Sequence, residues 1–374
     1  FQPYLEKIIE NTRRFGNYFG AVDGDIYNAY VDQYEEGIRV ADIDLFFETL
    51  KATIVPLLKE IQANPRPIRL DFTTRKISHK KQMKAGNYLL KVLGYDFQRG
   101  LLKESAHPFT NGLLRHDVRV TTHVYEDRFF SSLFSCAHEG GHGIYNQHIP
   151  SKLHQTPIGR GASMAMHESQ SRLFENMLAR SRPFLNFAYP RLQKMLGLHD
   201  VSQEEFYLAI NHVEPSFIRT EADELTYCLH IMVRYELEKM MMRNEIQVQD
   251  LPQKWNELYQ AYLGVTPPND RLGLLQDIHW SKGSIGYFFA YALGNAYSGQ
   301  IYHAMRQELD VDALLSQGKV KTIVKWLNQK MYRHAAFYPP KQLIEVITNE
   351  PFNPKYYCDY LEQKYRQIYQ LPQK

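Results

Sequence analysis

Apolar residues recur every three or four positions through most of the chain, the spacing that lines up one face of an α-helix. Residues 43–62 carry Leu45, Phe46, Leu50, Ile54, Leu57 and Leu58 on that spacing. Pro56 is expected to bend or divide this helix, because it lacks an N–H and crowds the preceding turn. The chain also opens in a helical pattern, with Leu5, Ile8, Ile9 and Phe15. Asn64-Pro65-Arg66-Pro67 is a break. Residues 78–93 resume the helical spacing, with Ser78 as an N-cap and Gly94 as a stop. Ser202 with Glu205 forms a capping-box pattern before Phe206, Leu208 and Ile210. Asp250 and Pro252 open another helix through Leu258 and Leu263. Residues 222–242, 286–307, 319–332, 340–348 and 354–369 complete the set. One stretch differs: Asp117 to Val124 alternates apolar and polar residues and is β-branched, so it reads as a strand. The fold class is mainly α with a short sheet.

At roughly 150 residues per domain, 374 residues allow about two domains or one large enzyme lobe. The balance of 44 Lys+Arg against 41 Asp+Glu carries no nucleic-acid footprint. No apolar run reaches the roughly 18–20 residues that a membrane span needs. Cys136, Cys228 and Cys358 form no CxxC pair and no disulfide framework, so a reducing, cytoplasmic compartment is expected. Position 1 is Phe, and the start inside a helical pattern reads as a piece of a longer or processed protein.

The decisive residues are His138-Glu139-Gly140-Gly141-His142. On a helix, positions i and i+4 share a face, so both imidazoles can reach one Zn²⁺. Glu139 lies about 100° further round, placed to take a proton from a water on the ion without binding the ion itself. With 15 His and at most 41 Glu, chance supplies fewer than about 0.07 such matches in this chain. Phe129, Phe130, Leu133, Phe134 and Ala137 run an apolar helical face into the motif. Two glycines inside a helix cost about 1 kcal/mol each against alanine, which points to a close approach of backbone or ligand.

A catalytic zinc needs a third protein ligand and an open position. Glu168 lies 26 residues after His142, which allows a loop and an antiparallel return helix over 163–175. His167, Glu168 and Glu175 are the candidates. Glu168 is favoured because two histidines and a glutamate form a known catalytic set. Glu175, two turns on, reads as a supporting or surface charge. His167 reads as a supporting or simply packed residue.

Arg219 precedes the 222–242 helix, with Thr220 and Asp223 as a capping signal. It reads either as a surface ion pair or as a fork for a substrate carboxylate. His230 reads as a satisfied core histidine. Asp277, His279 and Trp280 cluster in a glycine-flanked loop. Tyr287 and Tyr291, four apart, are either an aromatic core stripe or a source of a phenol for an oxyanion. His107, before Pro108, reads alone as an exposed loop residue.

Together these residues resemble the carboxypeptidase Taq family of zinc metallocarboxypeptidases. The matching motifs are His107-Pro108-Phe109, Asp117-Val118-Arg119-Val120-Thr121, His138-Glu139-Gly140-Gly141-His142, His167-Glu168-Ser169-Gln170, Ile218-Arg219-Thr220-Glu221-Ala222-Asp223 and Gly273-Leu274-Leu275-Gln276-Asp277-Ile278-His279-Trp280. The resemblance implies a neurolysin-like, two-lobed helical zincin with a deep groove and a small antiparallel sheet near the metal. It implies a single peptidase domain over 1–374, incomplete at its N-terminus. Residues 1–104 would form a helical lobe segment, 105–300 the catalytic core and 301–374 the C-terminal helices. Zinc, replaceable by cobalt, would be held by His138, His142 and Glu168, with Glu139 as general base and acid. Arg219 would hold the terminal carboxylate of a peptide substrate and Tyr287 the oxyanion, with His107 and His279 lining the site. A homodimer is also implied. The rival readings are a zinc endo- or oligopeptidase, separated by its indifference to a blocked C-terminus, and a catalytically silent helical binding protein, separated by the absence of chelator-sensitive hydrolysis.

Overall fold

A computed structural model describes residues 1–372, which divide into two compact units. The first comprises Phe1–Pro65, Val213–Leu293 and the C-terminal segment from Tyr357; the second comprises Arg66–His212 and Gly294–Tyr356. These units cut across the sequence-based segments 1–104, 105–300 and 301–374. Among the described residues, no helix is long and apolar enough to cross a membrane.

The first unit is helical. Its central Glu224–Met242 helix buries nearly every side chain through Glu238. It packs against Val40–Ala63, whose Ile43, Phe46, Phe47, Leu50, Ile54, Leu57, Leu58 and Ile61 are buried. Leu45, grouped with that face by spacing, is 66% exposed. Pro56 does not divide the helix, which runs unbroken for 24 residues. Flanking burial of Ile54, Leu57 and Leu58 outweighs the missing amide. Asp223 caps the central helix by accepting from the Thr226 amide. Thr220 lies in a short turn before it. The last predicted boundary in this region moves: the helix expected from residue 286 spans Phe289–Glu308, so Tyr287 precedes it.

The second unit is built around Phe129–His148, which packs on the helices His79–Leu93 and Met164–Arg172 and on a small sheet. The sheet contains β1 (Gly100–Glu104), β2 (Thr110–Leu114) and β3 (Asp117–Thr122) in the order β1-β3-β2. β3 is parallel to β1 and antiparallel to β2, so the sheet is mixed, not antiparallel as expected. The long-range return from β1 to β3 through β2 sets the parallel register Gly100↔Val118, which the pattern of a single strand does not encode. Val118 and Val120 are fully buried, and Thr122 Oγ1 donates to the Ser132 carbonyl at 3.1 Å, tying β3 to the motif helix.

The two motif glycines have different roles. A Cβ at Gly141 would stand 2.4 Å from the Gln170 carbonyl oxygen and 2.8 Å from Ser171 Cα, so two helix backbones meet there. A Cβ at Gly140 would meet only the end of the Leu90 side chain, at 2.6 Å. Gly141→Ala should therefore lower stability by about 1–3 kcal/mol through overpacking. In Gly140→Ala the gain of about 1 kcal/mol in helix propensity offsets repacking of Leu90. Urea unfolding midpoints check this contrast; equal midpoints for the two variants would contradict the close backbone approach.

Candidate active site

His138 and His142 lie one turn apart on Phe129–His148, and Glu168 faces them from the return helix. Glu168 Oε2 is 3.6 Å from His138 Nε2 and 3.4 Å from His142 Nε2. Bonds of about 2.0–2.1 Å at a tetrahedral angle place neighbouring donors about 3.3–3.4 Å apart, so this donor set fits one ion. Glu168 is held from several sides. Ser163 caps its helix by accepting from the Met166 amide at 3.0 Å. Arg172 Nε donates to Oε1 at 2.7 Å, and Ser171 Oγ to Oε2 at 2.9 Å. A Cβ at Gly294 would lie 2.6 Å from Glu168 Cβ and Cγ, so that glycine makes room for the ligand. Burial would raise the Glu168 pKa, but Arg172, His138 and His142 outweigh it and hold the carboxyl well below the usual range. The ligand is ready in its ionised form.

The other ring nitrogens are tied off. His138 Nδ1 donates to Glu175 Oε2 at 3.0 Å, and Arg180 donates to the other oxygen of Glu175 at 2.9 Å. Burial opposes ionisation of Glu175, yet His138, Arg180 and Arg172 pull its carboxyl down to about 2. His142 Nδ1 lies 2.6 Å from His167 Nδ1, and His167 Nε2 lies 3.1 Å from Asn146 Oδ1. Burial and the neighbouring His142 lower His167 to about 3, so it is neutral. Its Nε2–H donates to Asn146, leaving Nδ1 to accept from His142 Nδ1–H. Both Nε2 atoms therefore face Glu168. Burial opposes a charge on His138, but the carboxylates of Glu168, Glu175 and Glu139 raise its pKa, so a metal arriving there displaces a proton. Glu175 sits where the return helix widens into π-type turns over Leu173–Ala179, a register shift that helical spacing alone does not reveal.

Glu139 is buried beside the triad's helix face. Thr110 Oγ1, on β2, lies 2.8 Å from both Glu139 Oε2 and the Glu139 carbonyl, anchoring the residue. Sequence reading missed Thr110, although it directly follows the His107-Pro108-Phe109 motif. His107 itself is exposed, with Nδ1 bonded to the Pro108 carbonyl at 2.7 Å.

Arg219, His279 and Tyr287 come together in the first unit. Arg219 is buried, not a surface ion pair. Its Nε and Nη2 donate to Asp277 Oδ1 at 3.1 and 2.9 Å. Arg234, missed from sequence within an apolar helical run, donates to Asp277 Oδ2 at 2.6 Å. Burial would raise Asp277, but Arg234 and Arg219 hold it at about 2. Two buried guanidiniums thus share the Asp277 carboxylate. Burial lowers His279 to about 4; its ring stacks on Tyr287 at 5.3 Å, and its Nε2 lies 3.4 Å from the Tyr291 hydroxyl. His230 is fully buried, as its core reading expects, but only half satisfied: Nδ1 lies 3.0 Å from the Tyr259 hydroxyl, while the buried Nε2 has no hydrogen-bond partner.

Residues 1–365 match the family model of the carboxypeptidase Taq (M32) metallopeptidases. The chain is 43% identical over 374 residues to Carboxypeptidase 1 of Bacillus subtilis (strain 168), covering 99% of this chain and 74% of that relative. It is 36% identical over 369 residues to Thermostable carboxypeptidase 1 of Pyrococcus furiosus, covering 98% and 74%. Among solved structures, it is similar to an M32 carboxypeptidase from Deinococcus radiodurans R1, with a TM-score of 0.95, 37% identity, and coverage of 99% of this chain and 75% of that one.

Removing the anion behind His138 should loosen the metal. Glu175→Gln is expected to weaken metal affinity by about 10–100-fold, measured by calorimetric titration of the metal-free protein. Unchanged affinity would mean that Glu175 does not support the ligand.

Proposed function

The chain belongs to the carboxypeptidase Taq (M32) family of metallopeptidases, and from that premise we propose how its residues divide the work of removing a C-terminal amino acid. It is a metallocarboxypeptidase, a hydrolase of peptides. We assign one zinc ion to His138, His142 and Glu168. The observation that carries this assignment is the convergence of two Nε2 atoms on Glu168 Oε2 at 3.4 and 3.6 Å. When bound, zinc supplies Lewis acidity toward the scissile carbonyl and makes water a nucleophile near neutral pH.

Glu139 takes the proton from the attacking water and delivers it to the amine nitrogen of the departing amino acid. The Thr110 hydroxyl keeps that carboxylate in place. Arg219 holds the terminal carboxylate of the substrate. The buried Arg219 guanidinium supports this role, since its planar fork of donors matches a carboxylate. Tyr287 donates its phenol to the oxyanion. His107 and His279 complete the lining as polar neighbours. A reducing, cytoplasmic location is supported by three buried free cysteines. A homodimer rests on the family resemblance alone, and the mass in solution checks it.

Glu139→Gln preserves shape and the bond from Thr110 but removes the base. It should keep the metal and lose about 10²–10⁴-fold in kcat; retained turnover would end this assignment. Peptides with an amidated C-terminus should resist cleavage while their free-acid counterparts are trimmed, followed by mass spectrometry with a chelator control. Equal cleavage of both forms would remove Arg219 as a carboxylate anchor and favour an endopeptidase.

A further inference from the structure

Glu238 lies on the Glu224–Met242 helix with no exposure to solvent. A carboxylate so buried persists only where donors replace its water. Three do so. Trp280 Nε1 donates to Oε1 at 2.7 Å, while the Tyr27 hydroxyl and the Gly286 amide donate to Oε2 at 2.8 and 2.9 Å. Burial pushes its carboxyl up to about 7, against the pull of these donors and of Arg234.

Two of the three donors belong to one loop, and they flank the candidate site residues. Trp280 directly follows His279, and Gly286 directly precedes Tyr287. Gly286 has a φ of +80°, and a Cβ there would lie 2.8 Å from Tyr30 Cβ and 2.9 Å from its carbonyl carbon. The loop is therefore pinned near both ends by one carboxylate and pressed on the helix Ile26–Tyr34. Between the pins, the His279 and Tyr287 rings stack, and Tyr34 meets Tyr287 edge-on at 5.0 Å.

We propose that Glu238 is a positioning residue for the reaction: it fixes the His279–Tyr287 loop so that the Tyr287 phenol is held where the oxyanion develops. This rests on the reading of Tyr287 as the oxyanion donor. Glutamine at 238 offers one acceptor oxygen and one donor group, so it cannot accept from all three neighbours, and at least one pin opens.

The test is the kcat and KM of the metal-loaded enzyme on a peptide with a free C-terminus, for Y287F, E238Q and the double variant. Y287F should lose about 10²–10³-fold in kcat. E238Q should lose about 10–100-fold in kcat through misplacement of the phenol, with KM changed by less than about threefold. The double variant should be no slower than Y287F alone, because Glu238 acts through Tyr287. A wild-type kcat for E238Q, or a double variant whose loss is the product of the two single losses, overturns the proposal. A wild-type kcat for Y287F overturns the reading of Tyr287 beneath it. If E238Q does not fold, Trp280→Phe removes one loop donor and is judged against Y287F by the same criteria.

Discussion

The contact on which the metal centre depends is a meeting of two backbones. At Gly141 the helix that carries both histidines runs against Gln170 and Ser171 with no room for a side chain. Only at that separation does a glutamate as short as Glu168 bring Oε2 within 3.4–3.6 Å of two imidazoles. A second glycine, Gly294, leaves space on the other side of the Glu168 side chain. The helix gives up about 1 kcal/mol of propensity at each motif glycine. At Gly141, that cost is exchanged for a ligand geometry that no flexible side chain could hold as firmly.

Around this geometry the charges keep Glu168 ionised and hold both imidazoles in orientation. Arg172 takes the far oxygen of Glu168 and leaves Oε2 for the metal. Arg180 and Arg172 keep Glu175 ionised behind His138. His142 leans instead on a neutral histidine whose own tautomer is set by Asn146. The two imidazoles are thus oriented by different chemistry, one by an anion and one by a neutral acceptor. In the first unit, two guanidiniums share the carboxylate of Asp277.

Much of this was legible in the sequence because it is local. The His138-Glu139-x-x-His142 spacing is a property of one helix, and the Ser202–Glu205 capping box formed as read. The Gly94 stop also formed in the left-handed conformation. What escaped the sequence is non-local or lacks a periodic face. β1 buries only Leu102 and β2 buries nothing, so neither shows the alternation that exposed β3. Without β2 there was no means of finding Thr110 beside Glu139. Arg234 was hidden in an apolar helical run, and its partner Asp277 lies 43 residues away. The π-type turns that set Glu175 behind His138 follow from packing, not from helical spacing. The spacing predicts a helix from residue 286 that includes Tyr287, yet the Gly286 turn delays the helix until Phe289.

His138, His142 and Glu168 form a cluster that could hold one divalent ion. Anomalous diffraction at the zinc edge, from crystals of the zinc-loaded protein, tests it most directly. One peak per chain, bonded to both Nε2 atoms and to Glu168 Oε2 at about 2.0–2.2 Å, is the predicted result. A peak elsewhere, or one bonded through the Nδ1 atoms that face Glu175 and His167, would contradict it.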